Sequence, residues 1–356
     1  MSNLATKFAR QILDSMPPQR LLALDVFRGL TITAMVLVNN PGSWSFVYSP
    51  LQHAHWHGWT PTDLIFPFFV FIMGVSIAIV MRRDAPKLSA AARLEQVKRA
   101  AVRGGKLCLL GLFLALFYYD FGAPDYSWVD SQLGSIRLMG VLQRLGLVFF
   151  FTMVIVLYFG RLGRALWLIG LLVGYWTALT LVPYRLPDGA EVVGALEFGN
   201  NLSAWLDNAV FTARHLYYRD ATPLAFDPEG LLSTFPAIAS ALAGVFAGEF
   251  LVDQTKPLGV KCKYLLLTGV TLLAIGELWG FVLPINKALW TSSYVLMSTG
   301  WALLSLGALM WLLDIKGIKS WSAPFVVFGA NAIAFYMVSA VVARLLIMLP
   351  VGDTSL

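Results

Sequence analysis

A chain of 356 residues that is 58% hydrophobic and only 13% charged, with a mean hydropathy of +0.71, is not an ordinary pair of water-soluble domains. Its 26 Lys and Arg against 20 Asp and Glu give a net charge of +6 and a pI near 9.3. That balance can signal nucleic acid, but here the placement of the charges points to a bilayer and to no nucleic-acid partner.

The two cysteines, Cys108 in an apolar stretch and Cys262 in a short basic loop, give neither a disulfide framework nor a Cys-type metal site. In the first 20 residues Leu4, Phe8, Ile12, Leu13 and Met16 fall at helical spacing ahead of Pro17 and Pro18. The pattern predicts an amphipathic helix on the membrane surface over 1–20 in place of a signal peptide. Residues 21–356 read as a single all-α transmembrane bundle of nine to ten spans. Apolar runs of roughly 20 residues, the length that crosses a hydrocarbon core about 30 Å thick, fall at 21–40, 62–81, 104–121, 138–159, 165–183, 231–251, 264–283, 291–313 and 323–349. Nine spans put Leu356 on the side opposite the N-terminus, and a tenth would bring the chain back.

Basic residues set the orientation. Lys7, Arg10 and Arg20 precede the first span, and a dense group from Arg82 to Lys106 flanks the connection between the second and third. With Arg161, Arg164, Lys256, Lys261, Lys263, Lys316 and Lys319, 18 of the 26 fall on one side. The positive-inside rule makes that side, and the N-terminus, cytoplasmic. Of the outer loops, 41–61 contains no Lys, Arg, Asp or Glu yet holds three of the four histidines, and 184–230 is long enough to be a cover or substrate platform. The absence of a nucleotide-binding glycine loop argues against an ATP-driven pump.

Ionisable and amide side chains within spans need partners or a function. Asp25 and Arg28 stand three apart on one helical face, where they either seat the first helix as an ion pair or serve a site. Asn39 and Asn40 end that helix; Gln143 and Arg144 lie inside the fourth span; Asn331 lies inside the ninth. Interhelical hydrogen bonding competes with function at each. His53, His55 and His57 alternate as zinc ligands on a strand would, but no supporting pattern accompanies them, so no metal is expected. A single neutral imidazole there suits proton transfer. In Thr60-Pro-Thr-Asp63, Asp63 reads as a capping-box acid that could also orient an imidazole. Asp227-Pro-Glu-Gly230 reads as the cap of the sixth span, and Ser240, Gly244 and Gly248 as a small-residue packing face on it.

These residues fall in ordered blocks: Leu24-Asp-Val-Phe-Arg-Gly29; Val38-Asn39 through Gln52-His-Ala-His-Trp-His-Gly58; Asp63-Leu-Ile-Phe-Pro through Met73-Gly74; Arg137-Leu-Met-Gly-Val-Leu-Gln-Arg144; Phe226-Asp-Pro-Glu-Gly-Leu231; Pro284-Ile-Asn-Lys-Ala-Leu-Trp290 with Ser293-Tyr294; and Gly329-Ala-Asn-Ala-Ile333. Together they resemble the heparan-α-glucosaminide N-acetyltransferase family and its shorter bacterial relatives of the NagX type. The resemblance implies transfer of acetyl from cytoplasmic acetyl-CoA to the amine of glucosamine, or of a glucosamine-terminated saccharide, across a bacterial inner membrane, by a homodimer.

It also implies that His53 is the catalytic base and Asn39 its companion on the developing oxyanion. Asp63 would fix the imidazole tautomer, and Arg28, Asn40, Gln143, Arg144 and Asn331 would line the CoA tunnel. His55 and His57 depart from the animal pattern, which argues against a three-histidine metal site. No counterpart of the animal enzyme's large luminal domain and leading helix is expected, which would point away from a heparan polymer. A covalent acetyl-histidine intermediate, another acceptor such as an envelope glycan, and a transporter of N-acetylglucosamine or a related sugar are the alternatives. The last is weakened by the lack of an inverted repeat.

Overall fold

Helix boundaries in this chain follow the apolar runs closely. The computed structural model describes residues 11–12, 21–81, 88–351 and 354–355. The surface helix expected over 1–20 therefore lies outside the described residues except at 11–12, where Ile12 packs against the core of the bundle. The main helices are α1 (Leu22–Asn39), α2 (Ile65–Met81, entered through a tight turn at Pro61–Leu64), α3 (Ala90–Leu116), α4 (Val141–Tyr158) and α5 (Arg161–Leu181). After them come α6 (Leu202–Phe211), α7 (Thr234–Leu251), α8 (Leu258–Gly280), α9 (Ser292–Leu309, prolonged by a widened turn at Met310–Ile315), α10 (Ala323–Ala330) and α11 (Ala332–Met348).

Seven of the nine expected spans are single helices long and apolar enough to cross a membrane: α1, α2 with its entry turn, α4, α5, α7, α8 and α9 with its extension. The other two differ for identifiable reasons. The expected third span, 104–121, is the second half of α3, which starts earlier at its Ser89 cap, where the hydroxyl accepts the Ala92 N–H, and stops at Leu116. Its apolar part, Leu107–Leu116, rises only about 15 Å at ~1.5 Å per residue, and the part before it is strongly basic. The expected ninth span, 323–349, breaks at Asn331 into α10 and α11, which meet at 83°. Counted as one span, the bent pair makes eight among the described residues.

Close packing sets the order of the bundle. The expected small face of α7 lies against α2: a Cβ on Gly244 would fall 2.1 Å from the Phe71 carbonyl oxygen, and one on Gly74 would fall 1.9 Å from that of Ala241. Backbones approach this nearly only where side chains are absent, which is how helices associate when lipid removes the hydrophobic drive. Gly29 and Gly329 seat α10 on α1 in the same way, against Phe325 and Asp25. α7 is the most buried span, at 72%, whereas α5 and α8 bury only 22% each and form the rim.

The 184–230 segment folds over one end of the bundle. Two short antiparallel pairs, β1 (Tyr184–Arg185) with β2 (Glu191–Val192) and β3 (Leu196–Glu197) with β4 (Asn200–Asn201), lead into α6, which Asn201 caps by accepting the Ala204 N–H at 2.8 Å. Tyr184, Leu202, Leu224 and Phe226 pack there with Tyr175 and Leu179 of α5 and with Leu283. Gly74→Leu and Gly244→Leu are each expected to lower stability in detergent by about 1–3 kcal/mol or more through overpacking. Gly174→Leu, where an added Cβ meets nothing within 4 Å, is expected to leave it unchanged, as thermal unfolding will show.

Candidate active site

The turn Thr60–Asp63 buries a carboxylate at the entrance to α2. Asp63 is 1% exposed, and its Oδ2 accepts the backbone N–H groups of Thr60 and Ala54, both at 3.0 Å, and the Thr60 hydroxyl at 3.2 Å. Its Oδ1 lies 2.6 Å from Nδ1 of His53. Capping and histidine orientation are thus served by the two oxygens of one carboxylate. With Nδ1–H donating to Asp63, the lone pair of the neutral imidazole sits on Nε2. The His53 side chain is 52% exposed and faces a cavity.

The histidine loop is tied down at several points. Thr60 donates its hydroxyl to the Gln52 carbonyl (2.6 Å), Gly58 donates its N–H to Ile285 (2.8 Å), and Trp56 donates its indole N–H to Leu196 (2.8 Å). The Asn286 amide donates to the Trp56 carbonyl at 2.9 Å and lies 3.3 Å from Nδ1 of His57. His53 and His55 line one cavity while His57 lies against Asn286, and among the described residues no three His, Cys, Asp or Glu side chains converge on a metal position.

Lys287, from the loop between α8 and α9, completes the group. Its Nζ is 3.0 and 3.3 Å from the two ring nitrogens of His53 and 3.5 Å from Asp63 Oδ1. Burial pushes the pKa of this ammonium down, and Asp63 and Glu229 oppose the shift without cancelling it.

A second charged cluster borders the same cavity. Arg137 donates to both oxygens of Asp227, at 2.7 and 2.6 Å, and pairs with Glu229, while its guanidinium lies 4.6 Å from the centre of the Tyr217 ring. Burial works against the Glu229 anion, but Arg137, Arg144 and Lys287 outweigh it and hold the carboxyl below the usual range. Asp227 accepts the Glu229 N–H at 2.9 Å in a turn of its own. The expected cap at Asp227 is therefore separate from the span, whose helix begins at Thr234. Beneath this turn Asp207 of α6 accepts the N–H groups of Leu231 (3.0 Å) and Asp227 (3.3 Å).

Two cavities run through this part of the bundle. The outer one, about 330 Å³, is walled by His53, Asp63, Lys287, Glu229 and Arg137, by Asn39 at the end of α1, and by the aromatics Trp56, Phe198, Tyr217 and Tyr218. The larger one, about 660 Å³, has Gln96, Arg99 and Arg103 of α3 at one end, and Arg28 and Asn331 further in. Met35, Phe66, Phe69, Val141 and Tyr336 wall both, so one begins where the other stops.

The expected site residues therefore separate into three groups. His53, Asn39 and Asp63 share the outer cavity, and Arg28 and Asn331 line the larger one, Arg28 donating to Ser76 (2.9 Å) and pairing with Asp25 (3.4 Å). Asn331 sits at the α10–α11 break, its amide donating to Val327 (3.0 Å). Asn40, Gln143 and Arg144 line neither. Asn40 donates to the Val36 carbonyl, Gln143 packs on Gly111 and Gly140, and Arg144 is fully buried, donating to Gly230 and Ser233 and lying 5.2 Å from the Trp290 ring centre. Sequence reasoning missed Lys287, although it lies in the Pro284–Trp290 block, one of the few cations outside the basic side. Arg137 and Glu229 were likewise visible, but only as members of the ordered blocks around Arg144 and Asp227.

Fold and site together define a multi-pass helical membrane protein with a carboxylate-backed histidine at one end of its bundle. Residues 20–277 match the family model described as heparan-alpha-glucosaminide N-acetyltransferase, catalytic. The human protein of that name is 32% identical over 91% of this chain, and the mouse protein 32% over 89%. Each match covers 53% of the relative, so the chain spans about half the length of the curated relatives it matches. The chain belongs to the heparan-alpha-glucosaminide N-acetyltransferase family, a family of transferases.

Burial pushes the Asp207 carboxyl up to about 7, against its two N–H partners. Because this lies above the unfolded value, the folded state binds the proton more tightly and stability falls as pH rises from about 4 through 7. Asp207→Asn is expected to flatten that slope, with a smaller difference between melting temperatures at pH 5 and pH 8 than in the parent.

Proposed function

We propose that the chain is a transmembrane N-acetyltransferase that moves acetyl from cytoplasmic acetyl-CoA to the amino group of a glucosamine-type sugar on the opposite, periplasmic side. The observation that carries this reading is the pair of cavities with common walls, one with a basic mouth and the other holding His53, Asp63 and Lys287. The anionic part of CoA cannot enter hydrocarbon, and Arg99 and Arg103, beside the larger cavity, suit its phosphates. The flexible pantetheine arm would follow the apolar wall past Arg28 and Asn331 and bring the thioester to the shared residues. Asn40, Gln143 and Arg144 then act on the walls and not on the donor. The bacterial inner membrane and a homodimeric state accompany this reading through the family resemblance.

The chemistry follows from the residues present. The sugar amine, as free base, attacks the thioester carbonyl carbon; a C–N bond forms as the C–S bond breaks. Nε2 of His53 takes the proton that the nitrogen loses and returns it to the departing CoA sulfur. Asp63 holds Nδ1–H and so keeps the lone pair on Nε2. Asn39 and the Lys287 ammonium donate to the oxygen on which negative charge develops. Lys287 rests against the imidazole, so an entering amine must displace it from Nε2. The 184–230 segment, through Phe198, Tyr217 and Tyr218, covers the acceptor.

Purified protein given acetyl-CoA and glucosamine is expected to release CoA and form N-acetylglucosamine. His53→Ala should lower kcat by about 10²–10⁴, and Asn39→Ala by roughly 10²–10³, with melting temperatures near the parent's. Arg103→Glu should raise KM for acetyl-CoA while leaving KM for the sugar in place. The rival reading, a sugar transporter, draws on the α10–α11 break beside the larger cavity, since broken helices line transport sites. Sugar uptake into proteoliposomes without CoA release would establish that reading and sink the enzyme.

A further inference from the structure

A third cavity, about 380 Å³, shares no lining residue with the other two. Its floor is a hollow along α7, where Ala239, Ala243 and Ala247 recur every four residues, and its sides are α5, α8 and α9. Since α5 and α8 are the least buried spans, the groove between them opens toward the lipid. Its volume falls within the ~300–1,000 Å³ range of ligand sites.

One end of the groove is cationic, and the charge comes from two separate loops. Arg161, the first residue of α5, lines it, and its side chain makes no hydrogen bond or ion pair among the described residues. Lys256, ahead of α8, holds its ammonium 5.6 Å from the Phe250 ring and 5.8 Å from the Tyr264 ring, and both rings line the groove. Neighbouring charges have partners of their own. Arg164 is paired with Glu249, Lys261 donates to the Leu251 carbonyl at 2.6 Å, and Asp253 accepts the N–H and hydroxyl of Thr255.

We infer that this groove binds an anionic phospholipid, with its phosphate between Arg161 and Lys256 and one acyl chain lying along Ala239, Ala243 and Ala247. An apolar channel open to the bilayer and closed by two cations at the headgroup end complements an amphiphile with an anionic head. A second copy of this chain would have to set an anionic side chain against both cations and an apolar helix in the channel at once. The site is independent of acetyl transfer, because none of its residues touches either catalytic cavity.

The purified protein is titrated with dioleoylphosphatidylglycerol and, separately, with dioleoylphosphatidylcholine, and bound lipid is counted by native mass spectrometry. Saturable binding of phosphatidylglycerol, at least roughly tenfold tighter than phosphatidylcholine, is expected from two headgroup contacts. Arg161→Ala with Lys256→Ala should abolish that preference, and Ala243→Trp should remove tight binding of both lipids. Both cations lie on the surface, so the double variant remains informative even if Ala243→Trp fails to fold. Excess inorganic phosphate should not displace the lipid. Equal binding of the two lipids, an unchanged preference in the double variant, displacement by phosphate alone, or a dimer that Ala243→Trp splits without changing lipid binding would each overturn the assignment.

Discussion

A carboxylate with almost no solvent can remain ionised only if the protein supplies what water would have supplied, and Asp63 is the point at which this chain meets that demand. Its partners come from three separate pieces of sequence: Thr60 beside it, His53 and Ala54 in the preceding loop, and Lys287 more than two hundred residues later. Each has its own use for the contact. The turn gains its helix start, the loop gains a fixed path, and the distant lysine gains a counter-charge. The demand is also directional, because Oδ2 faces Thr60 and the Ala54 N–H whereas Oδ1 faces His53 and Lys287. The imidazole is therefore positioned by the same group that starts α2. Tyr294 of α9 donates its hydroxyl to the Asp63 carbonyl at 2.5 Å, which ties this corner to the helix after Lys287.

The bundle around this corner is built so that one end can be polar while the middle stays dry. α2 and α7 approach to backbone contact through Gly74 and Gly244, and α1 and α10 through Gly29 and Gly329. Such contacts hold helices where apolar burial gives no preference for protein over lipid. They also leave room elsewhere: the bulky residues displaced from these seams, among them Phe66, Phe69 and Met35, form the waist between the two cavities. The break at Asn331 belongs to the same design. Non-helical backbone at membrane depth is tolerated beside a cavity, and residues 329–334 line the larger one.

Apolar run length carried most of the fold into the sequence, since seven expected spans recur as unbroken helices with ends displaced by a few residues. The two that differ show where run length loses information. Leu107–Leu116 is apolar but short, and α3 begins in the basic stretch because Ser89 supplies a cap there. At 323–349 hydropathy is continuous, and only the turn at Asn331 interrupts it. At the site, His53 and Asp63 were legible because they are only ten residues apart, in a loop and the turn that follows it. Lys287 was not, because its meaning depends on a contact across 234 positions that no local pattern encodes. Arg144 shows the opposite case: an intramembrane arginine suggests a tunnel lining, yet one amino group of its guanidinium meets Gly230 and Ser233 and its face meets Trp290, outside both cavities.

The charges around the outer cavity nearly cancel, and that bears on the form in which an amine could be used there. Arg137 is matched by Asp227 and Glu229, Lys287 lies against Asp63, and buried Arg144 adds a further positive charge near Glu229. An entering ammonium would find every carboxylate already committed, so little electrostatic gain would offset the loss of its hydration. A neutral amine loses less on entry, and it alone has the lone pair that attacks a carbonyl. In the proposed reaction, then, the balance of charge selects the nucleophilic form before His53 acts. The imidazole is left to remove the proton that becomes acidic only as the C–N bond forms.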